Sequence, residues 1–341
     1  MKSLTRPLLI TSALLLLCLL LSIGVGSVFI PPGQIASVLW NALRSNPAAA
    51  DQENRLRVIL LTLRLPRSLL MAMTGAALAG SGCAYQGLFR NPLADPYLIG
   101  AASGAGLGAL LSLTAGWPTS GLAYLTVPLA AFVGALLAVF ITYQLAKVGQ
   151  TLPVTNLILA GVAVSSFATA LSSFLMINAS GELRRALVWL MGGSSMAGWK
   201  PVIGQFPYAF AGLAVLTAMG FQLNVLQFGD EQARQLGVNV NRTRTIIILA
   251  STLSTAAAVA FTGIIGFVGL IIPHIARRIW GGDTRRIMPL SIISGAAFLL
   301  LADVLARVVM APQELPVGII TALCGAPFFL LILRQSKKQV W

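Results

Sequence analysis

Charged residues fall in a few short clusters along this 341-residue chain, and the stretches between them are apolar. No formally charged side chain lies between Arg6 and Arg44, Arg67 and Arg90, Asp95 and Lys147, Lys147 and Glu182, or Lys200 and Asp230. A helix needs roughly 20 apolar residues to cross the ~30 Å hydrocarbon layer. Each gap therefore holds at least one crossing, and the Asp95 to Lys147 gap holds two. Only helices and closed barrels satisfy their backbone in lipid, and these runs lack the period-2 alternation of barrel strands. The pattern predicts spans near 8–30, 68–88, 97–115, 122–145, 155–177, 202–223, 245–261, 264–280, 287–306 and 316–333. The expected fold class is an all-α integral membrane protein of about ten transmembrane helices.

The stretch 245–276 carries no charge over its whole length. As one helix it would be ~48 Å long, too long for one crossing and short for two. Gly263, Gly266, Gly269 and Pro273 interrupt its middle. Arg242 and Arg244 precede it, and Arg277, Arg278, Arg285 and Arg286 follow it, so both ends should be cytoplasmic and the stretch should cross twice. With a cytoplasmic N-terminus, inner segments hold 14 of the 23 Lys and Arg residues: Lys2, Arg6, Arg90, Lys147, Arg234, Arg242, Arg244, Arg277, Arg278, Arg285, Arg286, Arg334, Lys337 and Lys338. Both termini are then expected in the cytoplasm. The N-terminal stretch resembles a signal peptide, but its apolar run, Leu8 to Ile30, exceeds the usual ~7–15-residue signal core and no clear cleavage site follows. It reads as a retained first helix. No long linker divides the chain, so one transmembrane domain over 1–341 is expected.

Composition sharpens this picture. Hydrophobic residues make up 57% of the chain and charged residues 9%, against roughly 25% charged in soluble domains. The net charge of +14 would invite a nucleic-acid partner, but the basic residues sit in short loops between apolar runs, as membrane topology requires. No nucleic-acid partner is expected. Cys18, Cys83 and Cys324 are scattered through apolar segments and read as packing residues. The single histidine, His274, builds no metal site by itself. No G-x-x-x-x-G-K-[ST] phosphate loop is present.

Three polar stretches invite functional readings. In Gln227 to Val238, Asp230 can cap a short helix and Gly237 can end it, while Ala233, Leu236 and Val238 give it an apolar edge. Such a helix docks a partner, lies on lipid headgroups or packs on its own bundle. Arg64, Arg67 and Arg307 are all expected on the outer face, against the positive-inside rule. They are either helix-end anchors or a pocket for carboxylates, which guanidinium forks bind bidentately. Asp303, four residues before Arg307, can neutralise it along one helix face. The turn from Arg90 to Pro96 carries two prolines and Asp95, a rigid corner that serves either a structural turn or the mouth of a pathway. Coupled carriers commonly place a carboxylate or histidine mid-membrane; only Asp303, near a span end, comes close. This argues against the alternatives of an ion-coupled secondary transporter and a membrane-embedded enzyme.

The strings RLPRSLLMAMTGAALAGSGCAYQGLFRNPLADPYLIGAASGAGLGA, FGDEQARQLGV, GFVGLIIPHIARR, LLLADVLAR and ELPVGIITALCGAPFFLLIL together resemble the FecCD family, over about Arg64 to Arg334. These are permease subunits of bacterial ABC importers for ferric siderophores, haem and cobalamin. The resemblance implies a homodimer or pseudo-dimer in the cytoplasmic membrane, two ATP-binding subunits below it and a periplasmic or lipid-anchored substrate-binding protein above. It implies that this chain is no enzyme and binds no cofactor, since ATP and Mg belong to the ATPase. It assigns Arg64, Arg67 and Arg307 to docking the binding protein. Gly229, Asp230, Glu231, Ala233, Arg234, Leu236 and Gly237 would couple to the ATPase. Asn91 and Leu93, with Val154 and Thr155, would form the cytoplasmic gate. Val154 is apolar where the cobalamin permeases carry a hydroxyl, which weakens a cobalamin assignment.

Overall fold

The computed structural model describes residues 4–26, 29–43, 51–115, 125–178, 181–193 and 198–337. Lys2, Arg44, Lys338 and the first residues of the 122–145 span lie outside them. Among the described residues the regular structure is all helix, apart from an isolated β-bridge between Val148 and Thr151. In order, the helices are α1 (Thr5–Gly24), α2 (Pro32–Leu43), α3 (Asp51–Val58), α4 (Leu65–Leu88), α5 (Ala101–Thr114), α6 (Thr126–Ala146), α7 (Val154–Asn178) and α8 (Leu183–Leu190). They continue as α9 (Trp199–Ala218), α10 (Gly220–Leu226), α11 (Asp230–Gln235), α12 (Val240–Thr262), α13 (Val268–Trp280), α14 (Thr284–Val308) and α15 (Val317–Lys337). A π-helical turn, Ile59–Arg64, joins α3 to α4, and a 3₁₀ turn, Pro96–Ile99, leads into α5.

Each predicted span overlaps helix, and α1, α6, α7, α9, α12 and α14 are long and apolar enough to cross a membrane by themselves. The chain is a multi-pass membrane protein. Sequence pattern did not foresee α2, α3 or α8. The 202–223 stretch is broken at Met219, so α10 stands apart from α9.

The charge-free 245–276 stretch divides as its glycines require. Helix α12 ends at Thr262, where Gly263 takes a left-handed φ of 74°. Helix α13 starts only at Val268 and is 13 residues long, or ~20 Å. The intervening 263–267 segment is irregular backbone inside the bundle, tolerable in a membrane only where protein groups satisfy it. Tyr97 donates its hydroxyl to the Ile265 carbonyl of this segment at 2.9 Å, and Gln86 donates to the Leu270 carbonyl in the first turn of α13 at 3.0 Å.

Helix α4 is the centre of the bundle. From Leu78 to Leu88 it is buried without interruption, and it packs against α14, α12, α13 and α9. Small residues permit this approach, because no hydrophobic effect drives helices together in lipid. At Gly75 a Cβ would collide with the Gly295 carbonyl of α14, and at Gly82 with the Gly269 carbonyl of α13. The Gly75 and Gly82 positions therefore set the axis separations that bring both ends of α4 into their polar networks.

Candidate functional site

Two polar networks close the opposite ends of α4, and they gather most of the residues singled out from sequence. At the Arg64 end, α1, α4 and α14 meet. Asp303 is fully buried on α14 and is paired twice: Arg67 Nη2 reaches its Oδ1 at 2.9 Å and Arg307 Nε its Oδ2 at 3.0 Å. The Asp303–Arg307 pair expected along one helix face is formed. Arg307 also donates to the Ser22 carbonyl at 3.0 Å and the Val25 carbonyl at 2.9 Å, while Arg64 donates to the Ile23 and Gly24 carbonyls at 2.8 and 3.0 Å. The last carbonyls of a helix have no partner within it. Here two guanidiniums supply the missing donors at the C-terminal end of α1, where cations also suit the helix dipole.

The three arginines expected to dock the binding protein differ in burial. Arg307 is only 6% exposed and its donors face Asp303, Ser22 and Val25, so it acts inside the fold. Arg67 is the more accessible group, and its Nη1 meets the exposed Glu314 at 2.7 Å. Sequence reading missed Glu314, which lies 247 residues away in a loop whose register no periodicity reveals.

The other end of α4 holds the expected gate and coupling elements. Arg90 follows α4 with a left-handed φ of 51°. Asn91 Oδ1 accepts the Leu93 N–H at 2.9 Å, and Asp95 Oδ1 accepts the Tyr97 N–H at 2.8 Å, so two side-chain caps fix the corner. Burial pushes the Asp95 carboxyl up to about 6, against the lowering pull of the Tyr97 N–H. Asn91 is exposed and Leu93 partly buried. Val154 begins α7 and packs on the apolar cluster that contains Leu88, Phe89, Ala94 and Leu152, whereas Thr155 is exposed. The two expected gate halves thus border one cluster.

Helix α11 begins after Gly229, whose φ is 109°, and ends at Gly237, whose φ is 82°. The N-cap is Gly229, not Asp230; the Asp230 carboxylate instead takes Arg244 at 2.7 Å and Arg90 at 3.4 Å. Ala233 is fully buried in the same cluster as Leu152 and Ala94, and Val238 joins it. Ala233 therefore anchors α11 to its own bundle and cannot meet a partner. The exposed apolar groups are Leu236, at 61%, and Phe228, at 68%. Phe228 escaped the sequence reading because it precedes the helix and belongs to no periodic face. Glu231 and Arg234 are exposed beside them. A second set of bonds ties this segment to α14: Asn224 donates to Asp283 at 2.6 Å and accepts the Thr284 N–H at 2.7 Å. Burial would raise the Asp283 carboxyl, but hydrogen bonds from Asn224 and Arg285 hold it below the usual carboxylate range.

The profile of the FecCD transport family matches residues 14–335. The chain belongs to this family. It is 46% identical to the cobalamin import system permease BtuC of Halobacterium salinarum, over 88% of this chain and 80% of that one. It is 37% identical to the hemin transport permease HmuU of Yersinia pestis over 99% of each chain. Identity with the Fe(3+) dicitrate transport permease FecD of Escherichia coli is 37%, over 94% of this chain and 95% of that one. A solved metal-chelate type ABC transporter in an inward-facing conformation superposes with a TM-score of 0.81 at 29% identity, covering 97% of this chain and 99% of that one. This FecCD chain is a permease of the ABC import type. Among its described residues no group of three or more His, Cys, Asp or Glu is placed to hold a metal ion.

Proposed function

We propose that this chain is the translocating subunit of an ATP-driven importer that moves an iron chelate (siderophore or haem) or cobalamin across the bacterial cytoplasmic membrane. On this reading 1–341 form one permease domain with ten spans and both termini in the cytoplasm. The Arg64 end faces outward and the Arg90 end inward. Two copies flank the pathway, two ATP-binding subunits sit beneath them, and a substrate-binding protein docks above. The chain itself binds no cofactor and performs no chemistry; ATP and Mg belong to the ATPase.

The observation that carries the reading is α11, a short helix bolted to the bundle by Ala233 and Asp230 with Phe228 and Leu236 left exposed on either side. Large apolar groups flanked by charges on a membrane protein's polar end suit a protein groove rather than water. Partial exposure makes Arg64 and Arg67 the docking groups for carboxylates of the binding protein, with Arg307 as the buried support. The competing reading, an ion-coupled carrier, needs a carboxylate free to exchange protons or ions in the membrane. Asp303, the deepest acid among the described residues, is held by two arginines.

The test is purification of the tagged chain from its host in mild detergent, followed by ATP hydrolysis on the eluate. The wild type should carry ATPase activity, and Phe228→Ser with Leu236→Ser should lose it while keeping the wild-type melting temperature. Retained activity in the double variant would remove α11 from the ATPase interface.

A further inference from the structure

We infer that Arg244, buried on α12, is a positioning residue that transmits movement of α11 to the start of α7 and, through Asp230, to the turn after α4. The inference rests on the importer reading above and adds to it the route by which the partner's motion reaches both halves of the gate.

Arg244 is 5% exposed, and its guanidinium holds two elements at once. Its Nη2 donates to Asp230 of α11 at 2.7 Å, and its Nη1 donates to the Leu152 carbonyl at 3.1 Å. Leu152 lies two residues before Val154, where α7 begins. A planar fork fixes both acceptors in one rigid arrangement, which a lysine ammonium on a flexible stem does not reproduce. Asp230 accepts a further bond from Arg90, at the head of the Asn91 to Leu93 turn. The chain of contacts runs from α7 through Arg244 and Asp230 to Arg90, and α11 sits in its middle.

The links differ in strength. The Arg244–Asp230 bond is short and its arginine is shielded, so water and salt compete poorly for it. The Arg90–Asp230 contact is 3.4 Å long with 44% and 36% of the side chains exposed. Exposed pairs of this kind contribute little and are screened by salt. The start of α7 is therefore firmly yoked to α11, whereas the α4 turn is held by a releasable latch. A displacement of α11 carries α7 first and lets the turn go when the latch opens. Asn241 supplies a parallel tie, donating to the Gln150 carbonyl at 2.7 Å in the turn before Leu152.

The experiment uses the purified complex with its ATP-binding chains, carrying Cys324→Ser and Val148→Cys. Cys18 and Cys83 are buried and escape labelling, and Val148 lies in the turn just before α7. Nitroxide separations between the two copies are measured by pulsed EPR without nucleotide and after trapping with ATP and vanadate. The wild type should change its separation on trapping. Arg244→Lys keeps a charge for Asp230 but cannot bridge to Leu152; it should retain the ATP-binding chains and basal hydrolysis while losing the change. Asn241→Ala should keep the change. A wild-type response in Arg244→Lys, an equal loss in Asn241→Ala, or detachment of the ATP-binding chains by Arg244→Lys would each overturn the relay. A wild-type chain that carries no ATP-binding partner would overturn the importer reading itself, and the relay with it.

Discussion

Replacing Arg307 with methionine isolates the role of the arginine cluster. The side chain is buried beside Asp303, and its departure removes one of the two cations on a carboxylate with no exposure. It also strips donors from the Ser22 and Val25 carbonyls at the end of α1. Removing one partner of a buried pair costs about 3–5 kcal/mol; Arg67 still neutralises Asp303, so the lower end, about 3 kcal/mol, applies. At roughly 2–4 °C per kcal/mol for a chain of this size, the melting temperature in detergent should fall by on the order of 10 °C. Adding Asp303→Asn to Arg307→Met should recover part of the loss, because the buried carboxylate, left with only the Arg67 it shares with Glu314, is then gone. Thermal unfolding followed by near-UV circular dichroism, or by a thiol-reactive dye at the buried Cys18 and Cys83 in a Cys324→Ser background, reads the effect. A shift under about 2 °C would refute the clamp and return Arg307 to the role of an accessible docking group.

Other substitutions separate the remaining roles. Arg67→Gln should weaken capture of the substrate-binding protein at least about tenfold, measured by surface plasmon resonance on nanodiscs, and less at high salt, because charge pairs at an accessible rim govern encounter. Gly82→Ala should prevent the close α4–α13 contact and reduce the yield of folded protein on gel filtration, whereas the same change at the open Gly266 should be mild. Asp95 carries a folded-state value of about 6 against 3.8 when unperturbed. A raised carboxyl makes its stabilising share full below the unperturbed value and lost as pH rises through about 6. The wild type should thus melt lower at about pH 7 than at about pH 5, and Asp95→Asn, which keeps an acceptor for Tyr97, should flatten that slope.

Much of the architecture was legible because lipid leaves few choices. Charge-free runs of helical length marked the long helices, and Gly263 and Gly266 marked the break between α12 and α13, whereas Gly269 and Pro273, read as interruptions too, lie inside α13. Short helices such as α8 escaped because they lie between spans, where hydropathy carries no period long enough to read. The site was legible as segments and not as contacts. Arg64, Arg67 and Arg307 stood out by their place at span ends, but nothing in sequence separates a buried arginine tied to Ser22 from an accessible one facing Glu314. Asp230 looked like a cap because it opens a helix; its true partners are Arg90, 140 residues back, and Arg244 on the next helix. Ala233 looked like part of a docking edge because a six-residue helix does not reveal which side its bundle occupies. These are long-range facts, and only packing around the small residues of α4 decides them.

The most direct test of the account is native mass spectrometry of the tagged chain purified from its own host in mild detergent. The account predicts an assembly of two 35.8 kDa copies with two ATP-binding chains, together with ATP-dependent uptake once that assembly is reconstituted with its substrate-binding protein. A lone chain that moves its substrate on a proton gradient, without ATP, would contradict it.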